Sequence, residues 1–222
     1  MGNSYPVAIV IVVMVLAGML FGGMYASIVG ILRAQLNTNE IITSLMMNYL
    51  AAILLNHLIF NSTSYWRDPK SFGFPSGRPL VARTYWPTYQ ILGVSVSFGL
   101  VLAIIGAVFL WVLYRRSRLG FEIGIIADSP RAARYVGIRT KWTIITVTAL
   151  SGAIAGIGGA SQVGDFAHYL DAKGLQLNSF GYTGIVVAAL ARLNPLGAVL
   201  VAVLLGGLTN AGYSLQGPNF PS

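Results

Sequence analysis

Apolar positions gather along the chain into long runs separated by short polar links. The first, residues 7–32, carries no charge and stops at Arg33. The second covers residues 40–60, the third residues 91–114, and the fourth residues 143–163. The last, residues 182–212, is interrupted at 192–195 by Arg192-Leu193-Asn194-Pro195. About 20 apolar residues carry a helix across a bilayer, so the first four runs predict transmembrane helices. Proline disfavours helix in the residue before it, so the last run predicts a broken or re-entrant helix pair. Irregular backbone at membrane depth is tolerated where protein buries it or where it lines a water-filled cavity. The expected fold is an all-α polytopic membrane protein, a helical bundle forming one transmembrane domain over residues 1–222.

Small residues mark where these helices approach one another. Gly18, Gly22, Ala26 and Gly30 recur every fourth residue in the first run, and Gly152, Ala155, Gly156, Gly159 and Ala160 crowd the fourth. Such spacing lets backbones come close inside a membrane. Polar residues within spans are costly in hydrocarbon and normally face a bundle interior or a cavity. Asn48 in the second run, with Thr43 one turn before it, therefore either lines a pathway or bonds a neighbouring helix. Arg192 and Asn194, at the break in the last run, are open to the same two readings.

The links add a direction. Residues 61–90 hold Pro69, Pro75, Pro79 and Pro87 with Tyr65, Trp66, Tyr85 and Trp86, and read as an outer loop with headgroup-level aromatics. Residues 115–142 hold Arg115, Arg116, Arg118, Arg131, Arg134, Arg139 and Lys141; with Arg33, eight basic residues fall on this side. Five (Arg67, Lys70, Arg78, Arg83 and Lys173) fall on the other. The positive-inside rule places residues 115–142 in the cytoplasm. Within them, Asp128-Ser129-Pro130 starts a helix, because Asp or Ser caps it and proline suits its first turn. Gly137 closes it. A short basic helix of this kind either docks a cytosolic partner or is merely a solvated loop.

Composition narrows the chemistry. Of 222 residues, 55% are hydrophobic and 9% charged, against roughly 25% charged in a soluble domain. The net charge of +8 lies in membrane-flanking links without a basic, aromatic-interleaved stripe, so nucleic acid is not an expected partner. Cysteine is absent. The chain has no phosphate-binding G-x-x-x-x-G-K-[ST], no H-E-x-x-H and no G-x-S-x-G. His168 stands near Asp165 and Asp171, but their spacing fits no standard metal-ligand set. We therefore expect no catalytic residue, no metal and no cofactor on this chain.

Three stretches are more specific. They are Asn39-Glu40-Ile41-Ile42-Thr43-Ser44-Leu45-Met46-Met47-Asn48-Tyr49; Leu119-Gly120-Phe121-Glu122 followed by Ser129-Pro130-Arg131-Ala132-Ala133-Arg134-Tyr135-Val136-Gly137-Ile138; and Phe180-Gly181-Tyr182-Thr183-Gly184-Ile185-Val186-Val187-Ala188-Ala189-Leu190 running into Asn194-Pro195-Leu196-Gly197. In this order they resemble the membrane permease subunits of bacterial ABC importers for simple sugars, nucleosides and branched-chain amino acids, most of all the nucleoside and simple-sugar permeases.

The resemblance implies a multi-pass subunit of the bacterial inner membrane with no ATPase activity of its own. It implies three partners besides the bilayer: a cytoplasmic ABC ATPase, a second permease subunit, identical or not, and an extracytoplasmic substrate-binding lipoprotein. Transport would proceed by alternating access around a central cavity. The family's coupling helix maps onto Ser129, Pro130, Arg131, Ala132, Ala133, Arg134, Tyr135 and Gly137, and Asn48, Thr43, Arg192 and Asn194 are its pathway candidates. Gly124, Ala127 and Ser129 stand where the family's run before that helix has Arg, Gly and Asn. The family's further N- and C-terminal parts are expected to be missing. The alternatives are an ion-coupled secondary transporter and a non-transporting, truncated membrane scaffold.

Overall fold

The computed structural model describes residues 7–61, 63–70, 75–91, 94–171 and 180–215. Lys173, one of the basic residues expected on the outer side, lies outside them, as do residues 92–93 of the third run. Among the described residues the chain forms eight α-helices and one hairpin. They are α1 (Val7–Leu36), α2 (Glu40–Phe60), α3 (Phe98–Arg116), α4 (Arg118–Asp128), α5 (Pro130–Tyr135), α6 (Thr140–Ser161), α7 (Phe180–Leu190) and α8 (Pro195–Leu215). Five of them, α1, α2, α3, α6 and α8, are long and apolar enough to cross a membrane. The protein is an all-α polytopic membrane protein.

Polar residues at the links set where helices begin and end. Asn39 Oδ1 accepts from the Ile41 N–H at 2.9 Å and so opens α2, while Arg33 pairs with Glu40 at 3.2 Å across the link behind it. Ser117 serves two helices. Its hydroxyl donates to the Leu113 carbonyl at 2.6 Å at the end of α3 and accepts from the Gly120 N–H at 3.2 Å at the start of α4.

The two small-residue stripes pack against each other. A Cβ on Gly18 would strike the Gly156 carbonyl, and one on Gly22 the Gly152 carbonyl. Gly30 lies against Thr148 and Ile145. Positions rise along α1 as they fall along α6, so the two helices are antiparallel. This closely packed pair is the centre of the molecule. The principal contacts then run α2–α1–α6–α3–α8–α7. Most large apolar side chains on these helices are exposed, as suits a protein whose surroundings are lipid.

One end is closed by a zipper between the two outer segments. The Gly77 N–H donates to the Leu170 carbonyl (2.9 Å), Leu80 to His168 (2.7 Å) and Trp86 to Gly164 (3.2 Å). Trp86 is buried over Gly164, where a Cβ would collide with its indole. Asp165 Oδ2 accepts from the Gly99 N–H at 2.7 Å and from the Ser161 hydroxyl at 3.1 Å. That carboxylate sits on the N-terminal turn of α3, where the helix dipole favours an anion.

The third helix starts later than its apolar run. Thr88–Ile91 (β1) and Val94–Ser97 (β2) form an antiparallel hairpin with Thr88 opposite Ser97 and Ile91 opposite Val94. Val94-Ser95-Val96-Ser97 alternates with a period of two, which suits a strand, and the Ser97 hydroxyl then caps α3 by accepting from Leu100 N–H at 3.4 Å. The last run divides at the expected residues, leaving 11-residue α7 and 21-residue α8.

Candidate functional site

At the opposite end from the zipper, α4 and α5 stand between α3 and α6. α4 is fastened to α6 by Glu122, whose carboxylate accepts from the Thr143 hydroxyl at 3.0 Å and from Arg118 at 3.0 Å. α5 is short and closed at both ends. Ser129 is in extended conformation and its hydroxyl accepts from the Ala132 N–H at 3.3 Å, with Pro130 in the first turn. At the other end Gly137 has φ +80°. Its N–H donates to the Arg134 carbonyl (3.1 Å), and the Ile138 N–H donates to the Ala133 carbonyl (3.0 Å). These two bonds make a Schellman turn, which wants a left-handed residue at the position Gly137 fills.

Ala133 alone of the α5 residues is buried, and it anchors the helix. Arg131, Ala132 and Arg134 are exposed, and Tyr135 is 94% exposed and Val136 69%. The Arg134 guanidinium folds back onto the Pro130 carbonyl at 3.3 Å. A tyrosine that exposed, following two exposed arginines on a capped helix, suits a protein partner, since Tyr and Arg are enriched in such interfaces.

The four pathway candidates divide into two kinds. The Thr43 hydroxyl donates to the Asn39 carbonyl at 2.8 Å within its own helix. The Asn194 side chain accepts from the Leu196 N–H at 3.1 Å and caps α8. Both have local structural work. Asn48 is different: it lies near the middle of α2, exposed, and its carboxamide makes no hydrogen bond among the described residues. Beside it, Tyr25 of α1 donates to the Met47 carbonyl at 2.6 Å, tying this turn of α2 to α1.

Arg192 sits at a second Schellman turn, the end of α7. Its N–H donates to the Ala189 carbonyl (3.0 Å) and the Leu193 N–H to the Ala188 carbonyl (2.9 Å). Here the left-handed residues are Arg192 (φ 52°) and Leu193 (φ 59°), both exposed. At 1.5 Å per residue α7 is roughly 16 Å long, about half of a 30 Å hydrocarbon core. The structure does not gather the candidates: α2 packs on α1, whereas α7 and α8 pack on each other and α8 on α3. Among the described residues no group of three His, Asp or Glu is placed to hold a metal.

Sequence reading missed α4, the hairpin and the Asp165 cap of α3. The first two had signals in the sequence, namely the serine at 117 and the period-two alternation. The Asp165–Gly99 contact joins residues far apart in the chain and had none.

A basic, capped helix between two spans and a broken last helix pair are the features that the resemblance to membrane permeases implies. A family model described as branched-chain amino acid transport system / permease component matches residues 1–219, and the chain belongs to that family. It is 30% identical over 217 residues to the nucleoside ABC transporter permease protein NupB of Lactococcus lactis, covering 93% of this chain and 59% of that protein. It is 33% identical over 191 residues to the guanosine ABC transporter permease protein NupP of Bacillus subtilis, covering 84% and 53%. The glucose ABC transporter permease protein TsgB13 of Haloferax volcanii is 29% identical over 226 residues, covering 96% and 57%. The chain thus spans little more than half the length of these curated relatives. No solved structure matches it.

Proposed function

We propose that this chain forms part of the membrane-spanning permease subunit of an ATP-binding cassette importer and carries a nucleoside or simple sugar across the cell membrane by alternating access. The observation that carries the reading is α5: a helix capped by Ser129, closed by Gly137, anchored only through Ala133, and presenting Arg131, Arg134 and Tyr135 outward. The excess of arginine at this end supports a cytoplasmic location. There α5 meets a separate ATPase subunit, which hydrolyses the nucleotide. Motion of that partner pushes α5 and the adjoining α4, and the Glu122–Thr143 bond passes it from α4 to α6.

In this reading a second permease subunit completes the pore, and an extracytoplasmic binding lipoprotein delivers substrate to the zippered end. Asn48 and Arg192 face the pathway. An unpaired carboxamide or guanidinium at membrane depth is expensive in lipid but suits a watered cavity. Thr43 and Asn194 hold the segments that carry them. The names of the relatives support the substrate class.

The test is uptake of radiolabelled guanosine by cells expressing the subunit with its ATPase and binding protein. Arg131→Glu combined with Arg134→Glu is expected to abolish ATP-driven uptake while membrane insertion stays normal. Unchanged uptake in the double variant would overturn the docking role.

A further inference from the structure

Helices α3 and α6 run antiparallel, and they meet differently at their two ends. At the arginine-rich end they stand apart. Leu110 and Leu113 of α3 and Leu150 and Ile154 of α6 line a crevice of about 190 Å³, with Leu119 and Ile123 of α4 also on its wall. That is below the roughly 300 Å³ at which small-molecule sites begin, so the crevice is a packing gap. At the zippered end the two helices touch. A Cβ added to Gly99 would meet the Ser161 Cβ at 3.0 Å. Asp165 Oδ2 there accepts from both the Gly99 N–H and the Ser161 hydroxyl.

The joint at the zippered end is slender. Asp165 lies on a π-helical stretch, Gln162–Ala167, that continues α6. Such stretches are rare inside helices and frequent at functional sites. This one stops at His168, whose backbone is left-handed at φ 58°, strain of a kind that gathers at switch regions. Of the Asp165 carboxylate only Oδ2 is engaged, and Oδ1 is buried without a partner among the described residues. One oxygen therefore ties the end of α6 to the start of α3. Each of these helices also has a firmer companion, α1 for α6 and α8 for α3, so two helix pairs share this joint.

Rocking the pairs apart at the zippered end releases Asp165 and the Gly99 N–H to water, where they regain hydrogen bonds at little net loss. The same motion closes the crevice, whose leucines gain the contacts that a void denies them. Opening at one end and closing at the other thus offset each other. We propose that Asp165 is the latch of an extracytoplasmic gate between α3 and α6, and that the gate opens as the inner crevice closes. This gate rests on the permease reading above: an ATPase pushing α5 moves α4, which lines the crevice.

The test uses the full-length subunit carrying Gly99→Cys and Ser161→Cys, expressed with its ATPase and binding protein. The two Cβ positions face each other at close to the roughly 3.5–4.5 Å that a disulfide spans. Oxidation is expected to cut guanosine uptake at least tenfold and dithiothreitol to restore it, while each single variant is insensitive to the oxidant. Unchanged uptake by the cross-linked subunit overturns the proposal, because α3 and α6 then do not part there. Absence of ATP-driven uptake in wild type removes the permease reading itself, and the gate with it. Should the reduced double variant be inactive, labelling of Ser161→Cys alone decides. An impermeant maleimide applied outside intact cells should label it at least threefold faster in energised than in ATP-depleted cells. Leu150→Trp, which fills the crevice, should abolish that difference. Equal rates in energised and depleted cells contradict the gate, as does an unchanged difference in Leu150→Trp.

Discussion

Two helices of this protein end in the same pair of backbone hydrogen bonds, α5 on Gly137 and α7 on Arg192. The turn needs a left-handed backbone, which glycine adopts freely and other L-residues adopt at a cost of roughly 1–2 kcal/mol. At the end of α5 the local choice and the turn agree, and the helix is a cheap, rigid knob. At the end of α7 they disagree twice, because Leu193 is left-handed as well. Under the proposed function that strain is kept for the side chain's sake, because Arg192 brings a charge to the break between α7 and α8. The two turns therefore set a stop built on glycine against one where, under the proposed function, the arginine is kept for its charge.

Substitutions that exchange the two solutions test this. The largest effect is expected for Arg192→Gly: substrate uptake falls at least tenfold, while the thermal midpoint in detergent stays level or rises. A fall in stability with unchanged uptake would make Arg192 a structural residue like Gly137. The converse change, Gly137→Val, forces a β-branched residue into the left-handed region and should cost about 2 kcal/mol locally. It shows as faster hydrogen exchange over α5 together with weaker coupling to the ATPase. Next is Ser129→Ala, which removes the cap at the other end of α5 and should cost about 1 kcal/mol by the same exchange measurement. The smallest effect is Leu193→Gly. It relieves the same strain as Arg192→Gly but removes no charge, so stability changes by at most about 1 kcal/mol and uptake is retained.

Much of this arrangement was legible in the sequence, and each case has a physical reason. Span positions follow from apolar run length, because lipid imposes length directly. The cap of α5 follows from Ser129-Pro130, whose local chemistry is independent of the rest of the fold. The stripes of Gly18, Gly22 and Gly30 and of Gly152 and Gly156 announced close packing, yet nothing in either run says that they pack on each other and antiparallel. The pathway candidates show the limit most clearly. Thr43, Asn48, Arg192 and Asn194 look alike in one dimension, as polar residues in apolar runs. The hydrogen bonds of Thr43 and Asn194 distinguish them only in three dimensions. Nothing in the sequence around Asp165 announces its helix-capping role, which depends on Gly99, a residue that only the folded chain brings near.

The central claim is that α5 faces the cytoplasm and is covered there by a nucleotide-hydrolysing partner. The chain has no cysteine, so Tyr135→Cys gives a single thiol on the most exposed residue of that helix. With a membrane-impermeant maleimide, the account predicts no labelling in intact cells, labelling in inside-out vesicles stripped of the ATPase, and protection once the ATPase is added back. Labelling of Tyr135→Cys from outside intact cells would contradict it.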